Sequence, residues 1–171
     1  MSSNVRIKGR FNLDGEWFQY GRKQGINSAE KEKLVAPEIS KGGNFSYDKK
    51  GEFYSTTKIY GYIKKDSIIE DYKFWLGLLN SQLFWFFIQN TGYVLRGGYY
   101  TFKTNYIQPF PVPNNIPISI SKEIISLVDD ILEIRSKGLK YDISELEKKI
   151  DVIVYSLYDF NKSEIDIIES I

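Results

Sequence analysis

Four of the five prolines in this 171-residue chain lie between Pro109 and Pro117, and this cluster constrains the fold more than any other feature. Proline lacks a backbone N–H and fixes φ, so the segment cannot form a helix or a central strand. We therefore predict a stiff linker that divides the chain into a domain over residues 1–116 and a C-terminal appendage over residues 117–171.

The two parts differ in charge and aromatic content. Residues 1–116 carry 16 Lys and Arg against 10 Asp and Glu, whereas residues 117–171 carry 7 against 12, so the overall charge of +1 is a cancellation. The first part also holds 23 of the 27 aromatic residues. A basic, aromatic body is typical of proteins that bind a polyanion such as nucleic acid. A surface that is basic by chance explains the charge alone equally well.

Short aromatic and β-branched runs in the first part predict strands. They cover residues 16–20, 33–39, 44–47 and 52–62, with glycine- or asparagine-containing turns between them. Asp48 to Gly51 predicts the turn of a hairpin over residues 45–54, in which Gly51 takes a positive φ.

Apolar residues at three- and four-residue spacing predict one helix over residues 72–87, with a capping box of Ser67 and Glu70 and an end near Gly92. Residues 121–135 and 142–160 predict two amphipathic helices that fold back on each other, the second capped by Asp142 and Glu145. The fold class is therefore α+β, with a small mixed or curved β-sheet packed on an aromatic-rich helix and followed by a C-terminal helical hairpin.

The composition excludes several kinds of chemistry. The chain has no His and no Cys, which removes thiolate nucleophiles, histidine bases and almost every zinc site. The absence of cysteine also fits a reducing compartment such as the cytoplasm. The most apolar stretch, Phe74 to Ile88, is 15 residues long with a polar centre, which is too short to cross a membrane. We expect no catalytic residue, no metal ligand set and no membrane segment, and Asp129-Asp130 is expected on a solvated helix face.

Three segments are candidates for a binding site. Residues 17–26 hold Arg22, Lys23 and Gln24 on a glycine-flanked loop, residues 93–106 surround Gly97-Gly98, and residues 40–44 form a weaker glycine loop. Arg and Gln match purine edges in the major groove, and Lys suits phosphate. The alternatives are a solvated turn for the first segment, a glycine turn among core tyrosines for the second and a plain hairpin turn for the third.

Six segments in order resemble the C-terminal target-recognition, or specificity, domain of TaqI-like N6-adenine DNA methyltransferases and of Eco57I-like fused type II restriction-modification enzymes. They are WFQYGRKQGI, EKLVAPEIS, NFSYDKKGEFYSTTKIYGYI, YKFWLGLLNSQLFWFFI, LRGGYYTFKTNYIQPFPVP and LEKKIDVIVYSLYDFNKSEIDIIE. The resemblance implies a module that binds double-stranded DNA in a restriction-modification system. In that family a separate methyltransferase domain binds S-adenosylmethionine and flips the adenine.

The NPP[FY] signature of such a catalytic domain is absent, so the resemblance implies a non-catalytic chain that needs no cofactor of its own and acts with a methyltransferase domain. The DNA-facing residues it implies are Arg22, Lys23, Gln24, Lys41, Lys58, Arg96, Tyr99, Tyr100, Lys103 and Asn105. Two alternatives remain open: a protein-interaction or assembly module that acts through the acidic C-terminal helices, and, less favoured, a free-standing enzyme.

Overall fold

The computed structural model describes residues 26–54, 58–138 and 140–170. Seven helices occur in the described ranges: α1 (Ile26–Ala29), α2 (Tyr72–Asn80), α3 (Gln82–Thr91), α4 (Thr104–Ile107), α5 (Ile118–Lys137), α6 (Ser144–Leu157) and α7 (Lys162–Glu169). The strands are β1 (Lys33–Pro37), β2 (Ile39–Ser40), β3 (Ser46–Asp48), β4 (Ile59–Tyr62), β5 (Val94–Leu95) and β6 (Tyr99–Thr101). The α+β class is thereby confirmed. The predicted strand over residues 16–20 lies outside the described residues.

The six strands of the described ranges form two three-stranded sheets, and all of their pairings are antiparallel. The first sheet has the order β3-β1-β4, and the second has the order β2-β6-β5. The chain leaves the first sheet at Pro37, which pairs only with Ile59 of β4, and enters the second at Ile39. Proline has no N–H to give to a second neighbour, so the ladder on the β3 side ends before it. Glu38 is therefore the single residue between the two sheets.

The turn after β3 has the predicted location but a different role. Gly51 has the expected positive φ of 68°. The hairpin prediction is wrong, because β3 pairs with β1 and residues 52–54 form no strand. The Asp48 carboxylate closes the turn instead, by accepting hydrogen bonds from the backbone N–H groups of Glu52 and Phe53, each at 2.9 Å.

A buried ion pair stabilises this turn. The Lys33 ammonium donates to Asp48 at 2.6 Å, and both side chains are only 4% exposed. Burial raises the pKa of the Asp48 carboxyl, but the hydrogen bonds from Lys33 and the two backbone N–H groups outweigh burial and lower the pKa below its usual range. One of the basic residues of the first part is therefore unavailable to a partner.

The predicted helix over residues 72–87 is two helices, α2 and α3, separated by Ser81. Ser81 is extended and its side chain accepts from the N–H of Phe84, so it caps α3 while its own hydroxyl donates to the carbonyl of Leu78. The predicted Ser67–Glu70 capping box is also wrong, because Asp71 is the N-cap of α2. The end at Gly92 is confirmed.

The C-terminal helices pack on α2 and α3, so one apolar core joins both parts of the chain. Phe74, Phe84, Ile88, Ile124 and Val154 are all fully buried in it. The linker contributes as well, since Phe110 packs edge-on against the ring of Phe84 with the centroids 5.0 Å apart. As predicted, residues 109–117 form neither helix nor strand.

The helical hairpin of α5 and α6 is confirmed, although its capping differs from the prediction. The N-cap of α6 is Ile143, and Asp142 accepts from the N–H of Ser144 instead of forming a capping box with Glu145. The last helix, α7, was not predicted. Of the helices in the described ranges, none is both long enough and apolar enough to cross a membrane.

Candidate functional site

The second sheet presents a hairpin whose tip is formed by Arg96, Gly97 and Gly98. Leu95 pairs with Tyr99, and the two glycines between them have φ values of 85° and 74°. Residues with a Cβ rarely adopt such angles, so the turn requires glycine at both positions. The side chain of Arg96 is exposed at this tip and has no ion-pair partner within the described ranges.

Lys41 and Tyr99 meet on the outward side of the same sheet. Lys41 directly follows β2, which pairs with β6, and its Nζ lies 4.9 Å from the centroid of the Tyr99 ring. A Cβ built on Gly98 would lie only 3.7 Å from Cε of Lys41, so the hairpin backbone passes close to this lysine. Tyr99 as a whole residue is 44% exposed. A cation over an exposed aromatic ring keeps its charge available to a polyanion.

The loop that carries Lys41 is held against α2. The side-chain carbonyl of Asn80 accepts from the N–H of Phe45 at 2.8 Å, and its amide donates to the Phe45 carbonyl at 3.0 Å. Asn44 has a φ of 53°, and its side chain donates to Ser40 and to the carbonyl of Lys41. These bonds position the Lys41 backbone before any partner binds.

Two further cations, Lys58 and Lys103, lie at the junction of the two sheets. Lys58 and Lys103 both contact the Glu38 carboxylate, with Nζ to oxygen distances of 3.7 and 3.6 Å. The Glu38 backbone joins the sheets, because its N–H donates to the carbonyl of Lys58 at 2.8 Å and its carbonyl accepts from the N–H of Phe102 at 2.7 Å. The sheet pairing therefore gathers these three charges from separate segments.

Lys103 is exposed, yet its backbone is anchored by buried neighbours. Phe102 is fully buried and packs with the rings of Phe45 and Phe84. Tyr62 donates its hydroxyl to the Phe102 carbonyl at 2.9 Å. Burial raises the pKa of Tyr62 far above its usual range, so this hydroxyl stays protonated and able to donate.

The structure brings together some of the residues predicted from the sequence and separates others. Lys41, Arg96 and Tyr99 share the hairpin region of the second sheet, and Lys58 and Lys103 share Glu38. Asn105 is exposed on α4, just after Lys103. Arg22, Lys23 and Gln24 lie outside the described residues.

Tyr100 differs from its neighbour Tyr99. Successive residues of a strand point to opposite faces, and the Tyr100 ring packs edge-on against Trp85 of α3 at a centroid distance of 5.3 Å. Its environment is therefore that of a half-buried core residue. Its predicted contact with DNA stays a prediction.

Sequence reasoning missed Glu38, Tyr62 and Asn80 as residues that shape the site. Their roles depend on pairings between distant segments, which no local spacing in the sequence reveals. The asparagine next to the helix break was visible in the sequence only as an interruption of the apolar pattern.

Among the residues that the structure describes, the acidic side chains give no sign of a metal centre. Asp129, one of the acidic pair on α5, contacts Lys73 at 2.5 Å. In residues 26–54, 58–138 and 140–170 there is no group of three or more metal-ligating side chains.

A family model described as the TaqI-like C-terminal specificity domain matches residues 4–112. The match ends within the proline-rich segment, and it includes every residue that the sequence predicts to face DNA. No curated protein matches the chain.

Proposed function

Because this chain belongs to the family of TaqI-like C-terminal specificity domains, we propose that it recognises double-stranded DNA for a restriction-modification system. The chain positions the duplex, and a separate methyltransferase domain carries out the reaction. That domain binds S-adenosylmethionine and takes the adenine out of the stack, since a stacked base hides its reactive atom. The parent or partner is an N6-adenine DNA methyltransferase, with or without an endonuclease as in the type IIG enzymes, and it acts in the cytoplasm.

The observation that carries the proposal is the cationic surface formed by the second sheet and its junction with the first. Lys41, Lys58, Arg96 and Lys103 are exposed there, and Glu38 is the one carboxylate that contacts any of them within the described ranges. An excess of cations beside an exposed tyrosine suits a DNA backbone.

The residue types suggest a division of roles at this surface. An ammonium group is a point charge that suits phosphate in any sequence, so the three lysines mainly contribute affinity. The guanidinium of Arg96 can make two parallel hydrogen bonds to guanine, which makes it the candidate for base readout among the described residues. Arg22 and Gln24 remain candidates for the same role.

The proposal predicts weak duplex binding that depends strongly on salt. With about 3 to 5 phosphate contacts, log K should fall against log salt with a slope of about −3 to −5. Fluorescence anisotropy of a labelled mixed-sequence duplex, titrated with the chain at several KCl concentrations, measures this slope. Binding is expected to be weak because these 171 residues supply only one half of the proposed clamp.

A matched pair of double variants locates the contact. On a mixed-sequence duplex, where no base is specified, Arg96 contacts phosphate as Lys41 does, so Lys41→Ala with Arg96→Ala should reduce the salt slope by about two. Lys122→Ala with Lys162→Ala removes the same charge from α5 and α7 and should leave the slope unchanged. Equal losses in both double variants, or no binding by the unmodified chain at low salt, would refute this interface.

The assembly alternative has one observation in its favour. Val152 of α6 and Ile167 of α7 are 65% and 59% exposed on the acidic C-terminal helices. If these helices contact a partner domain, Val152→Lys should weaken that association while leaving duplex binding unchanged. Co-purification with the methyltransferase domain, measured beside the anisotropy assay, separates the two roles.

A further inference from the structure

Glu38 is the carboxylate that contacts two cations of the cationic surface, Lys58 and Lys103. Its side chain is 16% exposed, whereas those of its partners Lys58 and Lys103 are 75% and 54% exposed. Lys58 directly precedes β4 of the first sheet, Lys103 follows β6 of the second, and both contact this carboxylate. The three charges together leave one net positive charge where two ammonium groups face solvent.

The Glu38 side chain is largely buried and its backbone is anchored, whereas the two lysine side chains are exposed. The Glu38 backbone is fixed by two backbone hydrogen bonds, one to each sheet. The distances of 3.7 and 3.6 Å to the lysines are longer than hydrogen bonds, so these are loose ion pairs. Lysine side chains are long and flexible, so a phosphate can draw either ammonium away while the carboxylate stays where it is.

We propose that Glu38 is a competing carboxylate that occupies Lys58 and Lys103 in the free protein and that a DNA phosphate must replace. The inference rests on the proposed function, because it requires that these lysines bind DNA. Replacing one anionic partner by another yields less affinity than binding to an unpaired lysine. Glu38 therefore lowers the affinity of the protein for random DNA. Lys58 and Lys103 add to the affinity mainly when other contacts already hold the duplex.

Glu38→Gln tests the inference, because it removes the charge and keeps the shape. We expect it to raise the affinity for a labelled mixed-sequence duplex about three- to tenfold at low salt and to steepen the salt slope by about one. Glu133→Gln is the matched control, since it makes the same charge change at another lysine-paired glutamate, whose Nζ to oxygen distance to Lys137 is 2.7 Å. This control should change affinity by less than about twofold, because exposed charges that are distant from the bound DNA are screened.

The same substitution in a Lys58→Ala, Lys103→Ala background shows whether Glu38 acts through the lysines. In that background the gain in duplex affinity from Glu38→Gln should vanish, because the two ammonium groups that Glu38 occupies have been removed. The unfolding midpoint of each variant shows whether its fold is intact. If Glu38→Gln does not fold, Glu38→Ala is tested in its place. A merely structural role would move that midpoint and leave the salt slope unchanged.

Two outcomes overturn the inference, and they differ from failure of the proposed function. If the unmodified chain binds the duplex with a salt-dependent affinity and Glu38→Gln binds equally or more weakly, Glu38 does not compete. If the gain persists without both lysines, it does not act through them. If the unmodified chain shows no salt-dependent binding at all, the proposed function fails and this inference fails with it.

Discussion

At the scale of single residues, Asp151 is a buried acid with a specific partner. It lies on α6 and accepts a hydrogen bond from the backbone N–H of Gln82 at 2.7 Å, at the first turn of α3. Burial raises the pKa of Asp151 from 3.8 to about 6, aided by the charges of Glu147 and Glu169 and opposed by the bond from Gln82. Since the pKa is higher in the folded state, the stability from this group is fully present below about pH 4 and is lost as the pH rises through about 6.

Asp151→Asn is therefore expected to stabilise the protein near neutral pH. The asparagine keeps the acceptor for Gln82 and removes the cost of a buried charge. We expect a gain of about 1 to 2 kcal/mol near pH 7, after allowing for partial exposure to solvent, and almost none near pH 4. Urea unfolding at both pH values measures the difference, with Asp130→Asn on the exposed face of α5 as the control. A constant effect at both pH values would show that the charge is not responsible.

At the scale of elements, α2 and α5 approach closely at Gly77. A Cβ built at this position would lie 2.7 Å from Cγ2 of Ile124 and 3.2 Å from Cγ2 of Val128. The missing side chain of glycine thus allows the C-terminal part of the chain to reach the body. Leu78, next along α2, is fully buried in the same core.

Gly77→Ala should destabilise the protein although alanine favours helix. We expect a net loss of about 1 to 3 kcal/mol in the free energy of unfolding, because overpacking exceeds the gain in helix propensity. The loss should be smaller in an Ile124→Ala background, where the crowding atom is absent. Chemical denaturation of the four proteins in this cycle gives the coupling, and an equal loss in both backgrounds would contradict the crowding argument.

The elements also show what can be predicted from this sequence. The apolar spacing in residues 72–87 correctly predicted helix, because periodicity reflects burial of one stripe. The apolar spacing could not predict the break at Ser81. A serine at this position can either continue a helix or cap a new one, and only the structure shows that its side chain accepts from the N–H of Phe84. By contrast, α7 begins with a capping box of Asn161 and Glu164. Both residues are visible in the sequence at the required spacing, so the start of this helix was predictable although it was not predicted.

The candidate site was predictable only in part. Gly97 and Gly98 identified a turn that the structure confirms, and the nearby cations could be chosen by residue type. The neighbours of Lys58 and Lys103 could not be predicted, because they depend on the register of two sheets. Register is set by long-range pairing and by burial of one face, neither of which a local motif encodes.

At the scale of the whole molecule, the two parts that differ in composition share one core. Ile124 of α5 and Val154 of α6 are as fully buried as Phe74 of α2 and Phe84 of α3. The division into two domains at residue 116 stays a prediction. This prediction can be tested directly by measuring whether the two parts unfold together.

We expect residues of both parts to unfold in a single transition. In a Trp17→Phe background, fluorescence reports on Trp75 and Trp85 in the body, while far-ultraviolet circular dichroism reports on all the helices. Coincident urea midpoints for the two signals would show one cooperative unit. A circular dichroism transition at lower urea would instead show that the C-terminal helices form a separate unit.

The start of α3 has a consequence for how the protein is made. The backbone N–H of Gln82 is satisfied by Asp151, and its side chain donates to the carbonyl of Ile168 at 3.4 Å. A ribosome synthesises Gln82 first, so α3 leaves the exit tunnel before the groups that complete its first turn exist. Until the acidic helices emerge, the apolar side chains of α2 and α3 that pack against them stay exposed or are covered by a chaperone. Nascent chains that stop early should consequently be recognised as unfolded and degraded.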